Sequence, residues 1–159
     1  MALVKGTSSY ATVAEADAYF EDRLDVAAWV SASSTQKAQA LITATKFLDE
    51  FEWTGIAVSE SQALAFPRIG TYFDPRIGYE IDLDSTTTPT RIVTATYELA
   101  YHLINNDGLL DDTGSVKSLS IGSINLQVVL PANKIPGNVK RIIKPLLVNS
   151  GTNPWWRAN

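Results

Sequence analysis

The chain contains no cysteine, which excludes disulfide bonds and thiolate metal sites. Its only histidine is His102, leaving little scope for a Ser-His-Asp triad. Phosphate-binding glycine patterns of the Walker or dinucleotide type are missing as well. The opening residues lack the apolar run of a signal peptide, and no later stretch is long enough to span a membrane. Asp82-Leu83-Asp84, and Asp107 with Asp111-Asp112, do not follow a calcium-loop pattern and read as solvated turn acids. Neither enzymatic activity nor a cofactor is expected. The most informative absence is that of acid: none of the 17 Asp and Glu residues lies beyond Asp112. Residues 1–112 hold seven basic against seventeen acidic side chains, a formal −10, and residues 113–159 hold six basic and no acidic ones, +6. Such segregation speaks of partners more than of fold. The basic third should be drawn to nucleic acid, to another protein, or to the acidic part of a neighbouring copy. A merely solvated basic tail is the plainer alternative.

What is present describes one domain of 159 residues with 45% apolar residues, enough for a real core. Thr12 and Glu15 form a capping box, and Val13, Ala16, Phe20 and Leu24 make one apolar stripe, predicting a helix over 13–23. Asp25 is placed to cap a short turn containing Trp29. Ser33 and Gln36 form a second capping box. Behind it Ala38, Leu41, Thr45, Leu48 and Phe51 recur at helical spacing, opposite a polar stripe of Gln36, Gln39, Thr43, Lys46 and Glu50. Trp53 and Gly55 end that helix, and a further helical turn is expected at Ser59–Leu64. Residues 65–88, punctuated by Pro67, Gly70, Pro75 and Gly78, read as one long loop. Tyr72, Phe73 and Tyr79 within it are candidate contacts to another subunit or partner. Thr88 as cap and Pro89 at the first helical position open a helix to about Ile104, burying Ile92, Thr96, Leu99 and Leu103. His102 follows Glu98 by one turn on the polar side and reads as a surface pair.

After a polar turn at Asn106–Gly114, a hairpin is expected over Val116–Leu130. A type II′ turn at Gly122-Ser123 pairs Ile121 with Ile124 and Leu119 with Leu126, and it pairs Ser120 with Asn125. One face is then apolar, to be docked on the protein's own helices or on a neighbouring subunit. Pro136-Gly137 opens a last helix with Val139, Ile142, Ile143, Leu146 and Leu147 on one side and Lys140, Arg141 and Lys144 on the other. Pro145 should break it. Residues 149–159, NSGTNPWWRAN, read as an extended arm. Its Trp155, Trp156 and Arg157 are residue types that anchor protein interfaces. They also suit stacking on bases, or folding back on the arm's own domain. The expected fold class is mainly α: a small bundle of about four to five helices with a long loop, one β-hairpin and an extended C-terminal arm. Residues 1–148 form the domain and 149–159 the arm.

Several segments together resemble a known family. They are Ser9-Tyr10-Ala11-Thr12 with Ala14-Glu15-Ala16-Asp17-Ala18-Tyr19-Phe20, and Lys37-Ala38-Gln39-Ala40-Leu41 leading through Phe47-Leu48 to Trp53-Thr54-Gly55. Gln62-Ala63-Leu64-Ala65-Phe66-Pro67-Arg68, Ala95-Thr96-Tyr97-Glu98-Leu99-Ala100 and Lys117-Ser118-Leu119-Ser120-Ile121-Gly122 complete the set. In order and spacing they resemble the small head–tail connector, or head-completion, proteins of tailed bacteriophages, many of which carry the label DnaT-like single-stranded-DNA-binding protein. Thr86-Thr87-Thr88-Pro89 stands where those relatives have an Ile-Pro step, and the stretch Ile69–Asp84 falls in a variable region. The resemblance implies a ring of about twelve copies under the portal protein, assembled in the host cytoplasm and residing at the head–tail junction of the virion. The ring extends the channel for passing double-stranded DNA without specific binding and offers a surface to the next tail or head-completion protein, with no membrane partner. On this reading Trp155, Trp156, Arg157, Lys140, Arg141 and Lys144 are candidate portal-docking residues. Tyr72, Phe73, Tyr79, Leu119, Ile121, Ile124 and Leu126 are candidate intersubunit or partner contacts. A single-stranded-DNA-binding module, or another tail-completion component, is the alternative.

Overall fold

The computed structural model describes residues 2–106, the backbone pairing of 119–121 with 124–126, and residues 135–148. The protein is mainly helical. Its helices are α1 (Val13–Glu21), α2 (Ala27–Ser31), α3 (Ser34–Asp49), α4 (Thr90–Asn105) and α5 (Gly137–Ile143), the last continued by a 3-10 turn at Lys144–Leu146. Both predicted capping boxes are formed. The Thr12 hydroxyl accepts from the Glu15 amide while Glu15 accepts from the Thr12 amide, and Ser33 and Gln36 do the same. Each box satisfies amides that the first helical turn leaves without partners, which is why the starts of α1 and α3 are legible.

α3 and α4, the two longest helices, pack on each other through Leu41, Ala44, Leu48, Ile92, Leu99 and their neighbours, all buried. Ile92, Thr96, Leu99 and Leu103 form the buried face of α4 as predicted, and Thr96 returns its hydroxyl to the Ile92 carbonyl at 2.9 Å. Phe20 and Trp29 pack tilted against each other beside this core, and the Trp29 indole donates to Asp17 at 2.8 Å. α5 runs antiparallel to α4, since Asn138 reaches Glu98 and Arg91 reaches Ile142. Val139, Ile143 and Leu146 are buried, while Lys140, Arg141 and Lys144 are exposed, and Pro145 lies in the 3-10 turn that ends the helix.

Six short strands complete the fold: β1 (Ile56–Ala57), β2 (Arg68–Ile69), β3 (Thr71–Asp74), β4 (Tyr79–Asp82), β5 (Leu119–Ile121) and β6 (Ile124–Leu126). They pair as three separate antiparallel ribbons, β1 with β2, β3 with β4 and β5 with β6. The β5–β6 register is the predicted one: Leu119 with Leu126, Ser120 with Asn125, Ile121 with Ile124. Its turn, its flanks, the docking of its apolar face, the polar turn beyond Asn106 and the arm 149–159 lie outside the described residues.

Several expectations are corrected. Residues 65–88 are not one long loop but carry β2, β3 and β4, so there are two hairpins where one was expected. No helix forms at Ser59–Leu64, where the Gln62 side chain accepts from the Ser59 amide and holds an irregular turn. α1 stops at Glu21, so Leu24 leaves the apolar stripe and is 92% exposed. Asp25 has φ 57 and caps nothing; Val26 occupies the start of α2 without a side-chain bond. Pro89 itself, rather than Thr88, sits at the cap of α4. Glu98 is buried instead of lying on the surface.

Two glycines admit the chain's closest approach. A Cβ on Gly55, at φ +74, would lie 2.4 Å from the Ile69 carbonyl oxygen, and one on Gly70 would lie 2.8 Å from the Gly55 Cα. Gly78 has a similar φ of +80 but faces open space. Gly78→Ala should therefore cost only the left-handed backbone penalty, about 1 kcal/mol. Gly55→Ala should cost at least about twice that, because the β1–β2 contact must also open. Denaturant unfolding of the two variants checks the order; equal losses would show that the close approach contributes nothing.

Candidate interaction surfaces

The β3–β4 ribbon is fastened to the helical body by one buried carboxylate. Alternation along β3 turns Tyr72 and Asp74 inward and Thr71 and Phe73 outward. Asp74 has no exposed surface and accepts from the Arg76 amide at 2.9 Å, the Arg76 guanidinium at 2.9 Å and the Arg91 guanidinium at 2.8 Å. Arg76 belongs to the hairpin turn and Arg91 to the first turn of α4, so one carboxylate closes the turn and ties it to the bundle. Arg76, and then Arg91, hold the Asp74 carboxyl well below the usual carboxylate range.

A second cation braces the neighbouring ribbon. The Arg68 guanidinium donates to the carbonyls of Thr54 (2.9 Å), Gly55 (2.6 Å), Trp53 (3.3 Å) and Ala65 (3.3 Å). Its rigid fork of donors suits this work of stapling irregular backbone. Behind it, Tyr10 donates its hydroxyl to Asp49, which also accepts from the Ala65 amide. Burial pushes Asp49 up, and the bonds from Tyr10 and Ala65 only partly offset that.

On these braced ribbons large apolar side chains face solvent. Ile56 and its cross-strand partner Ile69 are 68% and 48% exposed; Phe73 and Tyr79 are 53% and 62% exposed. Of the three aromatic residues singled out from sequence, Phe73 and Tyr79 are thus outward, whereas Tyr72 packs partly on the core. Phe73 lies in a groove of about 480 Å³ between the ribbon and residues 144–148, lined also by Tyr72, Glu80, Lys144, Pro145, Leu147 and Val148. Sequence reasoning assigned Tyr72 and Phe73 to one site and Lys144 to another; the fold brings them to the same groove. No spacing in the sequence could signal this, because β3 and residue 144 meet only through tertiary packing. Leu119, Ile121, Ile124 and Leu126 are placed by backbone register alone, and Trp155, Trp156 and Arg157 lie outside the described residues.

The body's charge is unevenly committed. Of the seven cationic side chains in residues 2–106, Lys5 pairs with Glu15, Arg23 with Glu98, Lys37 with Asp17, and Arg76 and Arg91 with Asp74. Arg68 is spent on carbonyls, which leaves Lys46 without an ion pair among the described residues. Glu21, Asp22, Glu50, Glu52, Glu60 and Glu80 are exposed acids with no ion pair there. Glu98 accepts from Tyr19 (2.7 Å), Arg23 (2.5 Å) and Asn138 (3.0 Å), joining α1, α4 and α5. Burial and then this bond to Glu98 push the Tyr19 hydroxyl up to about 12. His102 is half-buried beside Asn106. The exposed cations of residues 135–148 are those of α5 and the turn after it: Lys140, Arg141 and Lys144.

Residues 2–158 match the model of the family described as "Putative DnaT-like ssDNA binding protein", and the chain belongs to that family. No curated protein and no solved structure matches it.

The carboxylates set a pH dependence whose sign follows from their directions. Asp74 and Asp84 are depressed; Asp84, held by the hydroxyls and amides of Thr86 and Thr87, lies at about 2. Groups depressed on folding contribute stability that is present above the ordinary Asp value of about 4 and lost as pH falls through their folded values. Asp49, raised on folding, works the other way and contributes stability that fades as pH rises through its raised value. Asp74→Asn should lower the melting temperature at pH 7. Its curve should approach that of the parent as pH falls below about 4. Parallel curves in a pH series of thermal melts would contradict this role for Asp74.

Proposed function

We propose that this member of the family is a structural head–tail adaptor of a tailed-phage virion. It forms a ring beneath the portal, extends the DNA channel, and carries the attachment surface for the next tail or head-completion protein. One observation carries the reading: the body uses its cations internally and leaves exposed acids, while apolar side chains stand out on ribbons braced from within. An acidic body repels passing DNA. Exposed Ile56, Ile69, Phe73 and Tyr79 on a rigid support suit protein contact, since desolvated aromatic anchors carry interface energy. In a head-to-tail ring two different surfaces of the same chain meet at every junction. An acidic body beside a basic final third supplies complementary charge for that junction and fixes its register. Assembly in the host cytoplasm and residence at the head–tail junction follow from this role.

Docking to the portal is assigned to the arm, with Trp155 and Trp156 as anchors, Arg157 as a charge-assisted contact, and Lys140, Arg141 and Lys144 drawing it toward an acidic surface. Burying one Trp removes roughly 200 Å² from water. That amounts to on the order of 5 kcal/mol gross per copy, before ordering costs.

Single-stranded DNA binding is the second reading, favoured by the family's description and by Lys144 lying in one groove with Tyr72 and Phe73. Salt separates the two. A protein that neutralises several phosphates loses about a thousandfold or more in affinity between 50 and 200 mM salt, whereas docking through Trp side chains persists.

The test mixes purified protein with the portal of its phage, and separately with a labelled oligonucleotide, across that salt range. Portal binding that survives at 200 mM salt and rings in electron micrographs of the mixture are the expected result. Removing residues 150–159 should leave the helical circular-dichroism signal intact and weaken portal binding by about a hundredfold, the loss of one well-buried anchor. Salt-sensitive oligonucleotide binding without any portal complex would overturn the adaptor reading.

A further inference from the structure

Leu24 is the most exposed large apolar side chain among the described residues, at 92%, and the turn that carries it is held from within. The Arg23 guanidinium lies over the Phe20 and Tyr101 rings at 5.7 and 5.2 Å and bonds Glu98 at 2.5 Å. The Asp25 carbonyl accepts from the Tyr101 hydroxyl at 2.6 Å. Asp25 itself sits at φ 57, a conformation that Asp adopts more readily than most residues. A lone exposed leucine is ordinary; one pinned outward by an ion pair, two rings and a hydroxyl is a built feature. It stands between the exposed acids Glu21, Asp22 and Asp25, none of which has an ion pair among the described residues.

The other side of the bundle carries a groove of about 500 Å³. Half-buried Leu3, Ala38 and Ile42 give it an apolar floor, and exposed Gln39, Thr43 and Lys46 stand along it. In a body where seventeen acids face seven bases, no carboxylate lines this groove. Lys46 has no ion pair among the described residues. The groove also takes in Ser34 and Thr35 of the first turn of α3, where the helix dipole favours an anionic neighbour.

We propose that this groove receives the Leu24 turn of a second copy of the chain. Leu24 enters over Ala38 and Ile42, and the acids beside it meet Lys46 and the start of α3. The contact is a junction of the ring proposed above and rests on that reading. Charge complementarity selects the occupant: an apolar knob in an acidic collar fits an apolar floor that has a free cation and a helix start and no acid. Placement agrees. α3 buries Leu41, Ala44 and Leu48 toward α4, whereas Ala38, Ile42 and Lys46 fall on its other side. Tyr101, which holds the Leu24 turn, lies about half a helical turn from Leu99 and Leu103, on the side of α4 away from α3. Knob and groove therefore look in opposite directions across the α3–α4 pair and cannot meet within one chain. Two different surfaces on opposite sides join copies head to tail, and the chain of copies closes into a ring when the rotation per copy allows.

The test exploits the absence of cysteine. Leu24→Cys and Thr43→Cys, each at an exposed position of the full-length chain, are made singly and mixed. After mild oxidation the mixture should give several-fold more crosslinked dimer than either variant alone, and the double variant should give a ladder of oligomers. Leu24→Asp should leave the circular-dichroism signal and melting temperature unchanged. In sedimentation it should weaken self-association by about tenfold or more, the loss of one buried anchor. Electron micrographs of the same samples with the portal report rings separately. Rings without preferential crosslinking in the mixture, or self-association unchanged by Leu24→Asp, would overturn this junction and leave the ring reading standing. Preferential crosslinks without rings would support the contact and count against the ring. Neither rings nor crosslinks would overturn both, and either single variant crosslinking as well as the mixture would overturn the junction, because like surfaces would then be meeting.

Discussion

The contact on which the β3–β4 ribbon and its groove depend is the buried carboxylate of Asp74. A lone ionised carboxylate inside a protein is strongly unfavourable, and it persists only when paired and hydrogen-bonded. Here Arg76 and Arg91 meet that requirement from opposite directions, one within the hairpin turn and one from α4. A two-stranded ribbon is marginal by itself in water. Asp74 makes it part of the body, and so fixes Phe73 facing outward and the groove it forms with residues 144–148. Arg91 also directs a second nitrogen toward the Ile142 carbonyl at 3.5 Å, which brings α5 into the same arrangement.

The same economy of cations explains the surface. A chain whose first two-thirds has twice as many acids as bases could scatter its bases among the acids. Instead Arg23 goes to buried Glu98, Arg68 to four carbonyls, and Arg76 and Arg91 to Asp74. Each arginine is used where a planar multidentate donor fits better than a point charge. What remains exposed without an ion pair in residues 2–106 is acidic but for Lys46. The charge split visible along the sequence therefore becomes sharper in three dimensions than counting suggests.

How legible this was follows from the range of the interactions involved. Capping boxes and the buried faces of α3 and α4 rest on contacts three or four residues apart, and the spacings of Thr12 with Glu15 and of Ile92, Thr96, Leu99 and Leu103 carried them. The β5–β6 register likewise rests on a two-residue turn and strict alternation. The β3–β4 ribbon was read as loop because its strands are four residues long, and polar Asp74 and Asp82 sit where an apolar pattern would be sought. Asp74 looks like a turn acid in sequence; only the arrival of Arg91, seventeen residues on, makes it a core residue. Leu24 failed in the opposite sense, continuing a helical spacing after the helix had ended. Glu98 reads as a surface partner of His102 because helical spacing cannot reveal Arg23, just past α1, and Asn138 of α5 arriving at it.

The position of these features along the bundle gives them a common direction. Arg91 and Asp74 stand at the start of α4, and α5, antiparallel to it, delivers residues 144–148 to that same end. The exposed Phe73 and Lys144 are therefore gathered at one end of α4, while the joint made by Glu98 with Tyr19, Arg23 and Asn138 lies further along α4. A ribbon braced from within keeps its exposed side chains in a definite geometry, because the support behind them does not shift. The buried carboxylates therefore act on the surface indirectly. They hold the exposed ribbon in place, and a change that loosens Asp74 should displace Phe73 and its groove before it unfolds the helices.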